Sequence, residues 1–245
     1  MTAVSPWFFT HFSNQSFNKN LMFLMDGSAF TSRWQQMLNF RDQTDIAQIV
    51  AWNDYGQSNY INAIRGDVPV RPYSPPSSFL SRLIINMHHV QAEAKSWVDG
   101  FDHTGWLKIV KHFSEAFKTG AEPVVTQDSI VLQGRPHTRD AKAPADKLGV
   151  APFGFKATED KFFGTVFATA PGKITLSSAP DGSDAVTTDV PAGVSKVAHP
   201  LVVGGNMKAI LTRDNKEVVN LTPADFTFTA TPQVFNYNAF VAASA

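Results

Sequence analysis

The sequence predicts an α/β half followed by a β half, and two observations carry that expectation. Within the first 52 residues an apolar-faced helix lies between two β-rich segments, which is the strand–helix–strand order. From residue 124 onward, short β-rich runs are divided about every ten residues by Gly, Pro, Asn and Asp, the rhythm of an antiparallel sandwich. The 245 residues suffice for two domains with separate cores, and the change of character sets them at 1–122 and 123–245.

Residues 3–9 mix β-formers with an early Pro6 and read as a strand start. Ser32 then suits a helix N-cap, with Gln35 three residues on reaching back in a capping box. Trp34, Met37 and Leu38 recur at helical spacing, so this helix should pack on a sheet. Residues 46–52 are nearly continuous in apolar side chains, which suits a parallel strand buried on both faces. A second helix is expected over 104–119, with Leu107, Val110, Phe113 and Phe117 inward and Gly120 just past its end. In the β half, strands are expected at 129–133, 162–168, 173–177, 194–201, 207–213 and 217–221, with Arg213-Asp214-Asn215-Lys216 as a hairpin tip.

Lys and Arg number 21 against 21 Asp and Glu, so no summed field draws the chain to nucleic acid or an anionic membrane, and a neutral partner fits better. Without cysteine there is no disulfide framework, thiolate nucleophile or zinc–thiolate site. The seven His show no ligand spacing, so neither a metal nor another cofactor is expected. Twenty Phe and five Trp fill cores for the most part, and aromatic planes are also what sugar rings lie against. The amino terminus has no basic start and no apolar stretch of secretory length, and no run approaches the roughly 18 apolar residues of a membrane span. Taken alone, the chain reads as soluble and cytoplasmic. The triplets Asn14-Gln15-Ser16 and Asn220-Leu221-Thr222 are glycan acceptors only in a secreted protein.

The chemistry concentrates in Trp52-Asn53-Asp54-Tyr55-Gly56-Gln57-Ser58, which closes the apolar run and reads as the mouth of a sugar site. Asp54 is the best acid or base of the first half, although an Asn-Asp pair after a strand also makes a turn or a helix cap. Gln57 stands where a two-carboxylate glycosidase wants its second acid, and an amide transfers no proton near neutral pH. Trp7, Phe8, Phe9 and His11 end the preceding strand on what should be the same rim, either contacting sugar or filling the core. His103-Thr104-Gly105-Trp106 offers a third rim contact or a capped helix start.

These residues, with Ser5-Pro6-Trp7-Phe8-Phe9-Thr10-His11-Phe12, Arg33-Trp34, Asp102-His103-Thr104-Gly105-Trp106 and Ala116-Phe117-Lys118-Thr119-Gly120, resemble the fungal α-1,3-glucanases, glycoside hydrolase family 71, also called mutanases. The likeness continues through Arg135-Pro136-His137, Val190-Pro191-Ala192-Gly193-Val194, Gly204-Gly205-Asn206-Met207 and residues 235–242. The resemblance implies an inverting endo-hydrolase of α-1,3-glucan, extracellular or in the cell wall, monomeric and without metal. It implies the carboxyl-terminal part of a (β/α)8 barrel followed by an antiparallel β-sandwich. The family's carboxylate pair falls on Asp54 and Gln57, and Trp7, His11, Trp52, Asn53, Tyr55 and His103 line the implied sugar cleft.

The chain departs from the family in three places. Gln57 replaces a Glu, and proton transfer from a placed group is worth about a hundred- to ten-thousandfold in rate, so activity should be weak or absent. Only a few residues precede the segment matching Ser5, so about half the expected barrel is missing, and the β strands of this half should expose an edge and be unstable alone. Residues 70–91 have no family counterpart and read as a retained intron or a surface insertion with a loose helix at 81–90. The alternative is a non-catalytic α-glucan-binding or structural fragment.

Overall fold

The computed structural model describes residues 1–23, 27–64 and 93–245. The expected insertion at 70–91 lies outside them. In chain order the first half holds β1 (Thr2–Val4), β2 (Phe9–Phe12), β3 (Lys19–Met22), α1 (Ala29–Asn39), β4 (Ala47–Ile49), α2 (Lys95–Val98) and α3 (Trp106–Thr119). The second half holds β5 (Ser129–Gly134), β6 (Lys161–Ala168), β7 (Gly172–Ser177), β8 (Val186–Val190), β9 (Gly193–Pro200), β10 (Lys208–Arg213), β11 (Lys216–Leu221) and β12 (Phe240–Ala243).

The strand–helix–strand order of the first half holds: β1 and β4 are parallel neighbours on either side of α1, in register from Thr2↔Ala47 to Val4↔Ile49. Arg33 on α1 donates to the carbonyl of Ala3 at 3.1 Å and to Thr2 Oγ1 at 3.0 Å, fixing the helix to β1. Several details differ from the sequence reading. The segment at 3–9 is not one strand. It breaks after Val4, and Phe9–Phe12 pairs instead with β3 in an antiparallel hairpin. α1 begins three residues before the expected cap, with Ser28 at its N-cap, and no side chain caps it, so Ser32 and Gln35 sit inside the first turns. β4 is a short half-buried strand with Ile46 mostly exposed, rather than a strand covered on both faces.

α3 matches expectation at its end, where Gly120 takes φ 77° and its amide bonds the carbonyl of Ala116. Its buried face is rotated toward Trp106, Ile109, His112, Phe113 and Ala116, leaving Leu107, Val110 and Phe117 only partly covered. Trp34 of α1 lies parallel to Phe113 with ring centres 6.2 Å apart, and Arg41 donates to the carbonyl of Phe117 at 2.6 Å, closing the carboxyl end of α3.

The β half is two four-stranded antiparallel sheets, ordered β12-β5-β6-β9 and β11-β10-β7-β8. All six expected strands are present. β8 and β12 were not foreseen, since β8 is exposed at every position but Val190 and β12 is four residues long. The tip between β10 and β11 places Asp214 and Asn215 at φ 52° and 60°, the left-handed pair of a tight hairpin.

Between the sheets lies a core of Ile130, Leu132, Phe162, Val166, Ile174, Leu176, Ala209 and Leu211. The opposite face of the inner sheet is covered too: Val131, Phe167 and Val241 join the same core as Trp7, Phe30, Trp34, Trp106 and Phe113. Every position of β5 is accordingly buried. Polar groups mark the seam. Trp106 donates to Gln133 Oε1 at 2.6 Å, Gln133 donates to the carbonyl of Gly27 at 2.7 Å, and the hydroxyls of Thr31 and Thr165 meet at 3.0 Å. The two halves thus share one hydrophobic core, and the inner sheet is the wall between them.

Candidate functional site

The segment after β4 folds into a closed loop because its ends pair: the Ala51 amide bonds the carbonyl of Asn59 at 2.9 Å, and the Ile61 amide bonds that of Trp52 at 3.3 Å. Inside it, Tyr55–Gln57 forms a single 3-10 turn, closed by Ser58 in the left-handed region at φ 57°. β2 packs against this turn, bringing the hairpin to the site. The loop rests on an aromatic column. Tyr55 and Tyr60 have ring centres 4.9 Å apart, Tyr60 stacks on His103 at 3.9 Å, and His103 leans on Trp106 at 4.4 Å.

Asp54 is at the start of the turn and partly buried. Burial pushes its carboxyl above the ordinary carboxylate value, while a bond from the Gln57 amide and the positive charge of Lys19 on β3 pull back only part of the way. Gln57 is partly exposed in the same turn, Asn53 is partly buried, and Trp52 is 54% exposed. The structure therefore brings Trp52, Asn53, Asp54 and Gln57 to the surface together. A partly dehydrated carboxyl next to an exposed indole is able to bind a hydroxylated ring and to give it a proton.

The other expected contacts are inside. Trp7 is 1% exposed and its indole donates to the carbonyl of Tyr237 at 2.8 Å. Tyr55 is buried, its hydroxyl donating to the carbonyl of Ala63 at 3.0 Å. His103 is fully enclosed, its ring nitrogens 2.8 and 2.9 Å from the carbonyls of Tyr60 and Ala239. Burial pushes its imidazole down to about 4 against the pull of those carbonyls, so at neutral pH it is uncharged and donates to one of them. His11 lies between Asn20 Oδ1 at 2.7 Å and Asp146 Oδ2 at 2.8 Å, under 6% exposure of its own. In this structure Trp7, His11, Tyr55 and His103 are buried around the loop rather than exposed on a rim.

Several residues escaped the sequence reading. Thr10 Oγ1, Ser58 Oγ and Asn59 Oδ1, on β2 and the loop it supports, are buried with no hydrogen-bond partner among the described residues. Buried polar atoms are seldom left so. Asp146 holds His11, the Phe235 amide at 2.9 Å and the amides of Leu148 and Gly149. Its carboxyl is below the ordinary value because these bonds and His11 outweigh the opposing effect of burial. Residues 235–239 then run back over the first half as a strap: Asn238 donates to the carbonyl of Trp97 at 2.9 Å and to Tyr60 Oη at 3.2 Å. The repeated Asn between aromatics, Asn236-Tyr237-Asn238, is the one sequence signal that pointed to it.

Comparison with known proteins gives the chain a family. The model of glycosyl hydrolase family 71 matches residues 1–245. A mutanase of Penicillium rubens is 35% identical over 222 residues, which cover 90% of this chain and 42% of that protein. A glucan endo-1,3-alpha-glucosidase of Schizosaccharomyces pombe is 28% identical over 98% of this chain and 49% of its own length. An ascus wall endo-1,3-alpha-glucanase of the same yeast is 27% identical over 85% and 43%. The chain thus spans about half the length of the curated relatives it matches. No solved structure gives a significant match.

Proposed function

The chain belongs to glycosyl hydrolase family 71, and from that premise we propose that the loop after β4 is an α-1,3-glucan site with one acid, Asp54, and an amide, Gln57, in place of the second. Such a site holds the polymer and cleaves it weakly or not at all. The observation that carries this reading is the partly buried carboxyl of Asp54 opening the turn that holds Gln57, two residues after an exposed indole. Burial raises the Asp54 carboxyl in the direction that an acid partner needs, the partner that protonates the leaving oxygen. The base partner, which activates water across the ring, is the role Gln57 leaves unfilled.

β1, α1 and β4 are read as part of a (β/α)8 wall, with Asp54 at the carboxyl end of a strand, where such barrels carry their chemistry. The sandwich backs that wall through the shared core and is a buttress rather than a second binding module, since the faces of its inner sheet are both occupied. The two yeast relatives are named for α-1,3-glucan, and one of them for the ascus wall, which supports an extracellular or wall location and the same neutral polymer as partner.

Sedimentation with insoluble α-1,3-glucan tests the reading. The chain is expected in the pellet, and Trp52→Ala should weaken retention about fivefold, the loss of a stack worth about 1 kcal/mol. A chain that stays in solution, or a Trp52→Ala variant retained equally, overturns it.

A further inference from the structure

We propose that Asn14, at the tip of the β2–β3 hairpin, is an N-glycan acceptor and that its first sugar lies beside the exposed ring of Phe17. The inference rests on the extracellular reading above and adds a modification site to it. The sequence offers two acceptor triplets, Asn14-Gln15-Ser16 and Asn220-Leu221-Thr222, and the structure separates them.

Asn14 occupies an exposed turn, closed by the amides of Ser16 and Asn18 on the carbonyl of Ser13 at 3.2 and 2.8 Å. No described group bonds its carboxamide, so a conjugated side chain costs the fold nothing it already has. The turn is anchored from behind instead: Glu93 Oε1 accepts the Ser13 amide at 2.7 Å, and Glu93 Oε2 accepts the Ser16 hydroxyl. Phe17, three residues after Asn14, is 51% exposed, and its ring centre lies 4.7 Å from that of buried Phe12, so the ring is anchored on one side and open to the apolar side of a sugar on the other.

Asn220 is also exposed, but it differs in its carboxamide and in the residue that follows its triplet. Its carboxamide is already engaged, donating to Glu217 Oε2 at 3.2 Å and accepting from Thr222 at 3.5 Å. Pro223 follows directly and biases Thr222 toward extended backbone, which narrows the conformations open to this triplet.

The chemistry is the transfer of an oligosaccharide from a polyprenyl diphosphate carrier. The Asn14 carboxamide nitrogen forms a bond to C1 of the first sugar, the bond from C1 to the diphosphate oxygen breaks, and the carrier leaves as the polyprenyl diphosphate. One amide proton is given up to a base of the transferase, and one N–H remains.

The test is the full chain carrying a cleavable secretory leader, secreted from a eukaryotic host and deglycosylated by an amidase in heavy-oxygen water, which turns each occupied asparagine into labelled aspartate. The expected result is label at position 14, with Asn14→Gln losing one glycan step on a gel while Asn220→Gln leaves that step in place. Ser16→Thr, which keeps the hydroxyl, should keep the step. Secreted protein with a bare Asn14, whatever the state of Asn220, overturns the site and leaves the wall reading intact. Failure of the wall reading shows elsewhere, as native protein in the cell extract of its source and absent from medium and wall, and overturns the proposal with it.

Discussion

Asp54 loses hydration in its turn and gains only one backbone bond and a distant lysine in return. A carboxyl whose folded value lies above its unfolded one weakens the fold once pH rises past the unfolded value and costs nothing below it. Asp54→Asn is therefore expected to melt higher than the wild type at pH 7, with the difference vanishing as pH falls below the ordinary carboxylate range. Equal melting at pH 7 would show that the carboxyl is not held at a cost. The same residue was legible in the sequence, because Trp52, Asn53, Asp54 and Gln57 fall within one short segment and their chemistry needs no long-range contact to be noticed. Burial was not legible. Trp7, His11 and His103 were left between a rim contact and a structural role, and what decides it, their partners Tyr237, Asp146 and Ala239, lies more than 130 positions away. The same distance hid Asp146 as the anchor of His11.

At the scale of elements, the strands and helices whose apolar pattern is strong were readable, and their joints were not. The hairpin of β10 and β11 was visible in Asp214 and Asn215, whose short polar side chains tolerate positive φ. Helix α3 was visible in its periodicity, but the direction of its buried face depends on what it packs against, and its amino end abuts β12, a strand that was not foreseen. A Cβ at Gly105 would lie 2.9 Å from Val241 Cγ1 and 3.3 Å from Ala243 Cβ. Gly105→Ala is thus expected to destabilise the protein by about 1–3 kcal/mol, because a strand and a helix end must part to admit one methyl. Chemical denaturation reads this directly, and an unchanged midpoint would mean that the two elements are not in contact.

For the molecule as a whole, the sequence suggested two domains and a first half too small to stand alone. The structure gives a physical reason for that half to persist: its aromatic core is completed by Val131, Phe167 and Val241 from the far face of the inner sheet. The dependence runs both ways. Residues 123–245 by themselves would present that face to water, so they are expected to self-associate in light scattering while the full chain does not. A monomeric, cooperatively folding 123–245 would show that the shared core is dispensable. Neither alternation nor periodicity in one strand reveals that both of its faces are covered by distant partners, so this layering was out of reach of the sequence.

The account centres on a glucan site that kept one acid and lost the other, and the most direct measurement is the release of reducing ends from α-1,3-glucan by the purified 245-residue chain. The predicted result is release at background, the same for wild type and Asp54→Asn, from protein that sediments with the polymer. Sustained release by the wild type that Asp54→Asn abolishes would contradict it.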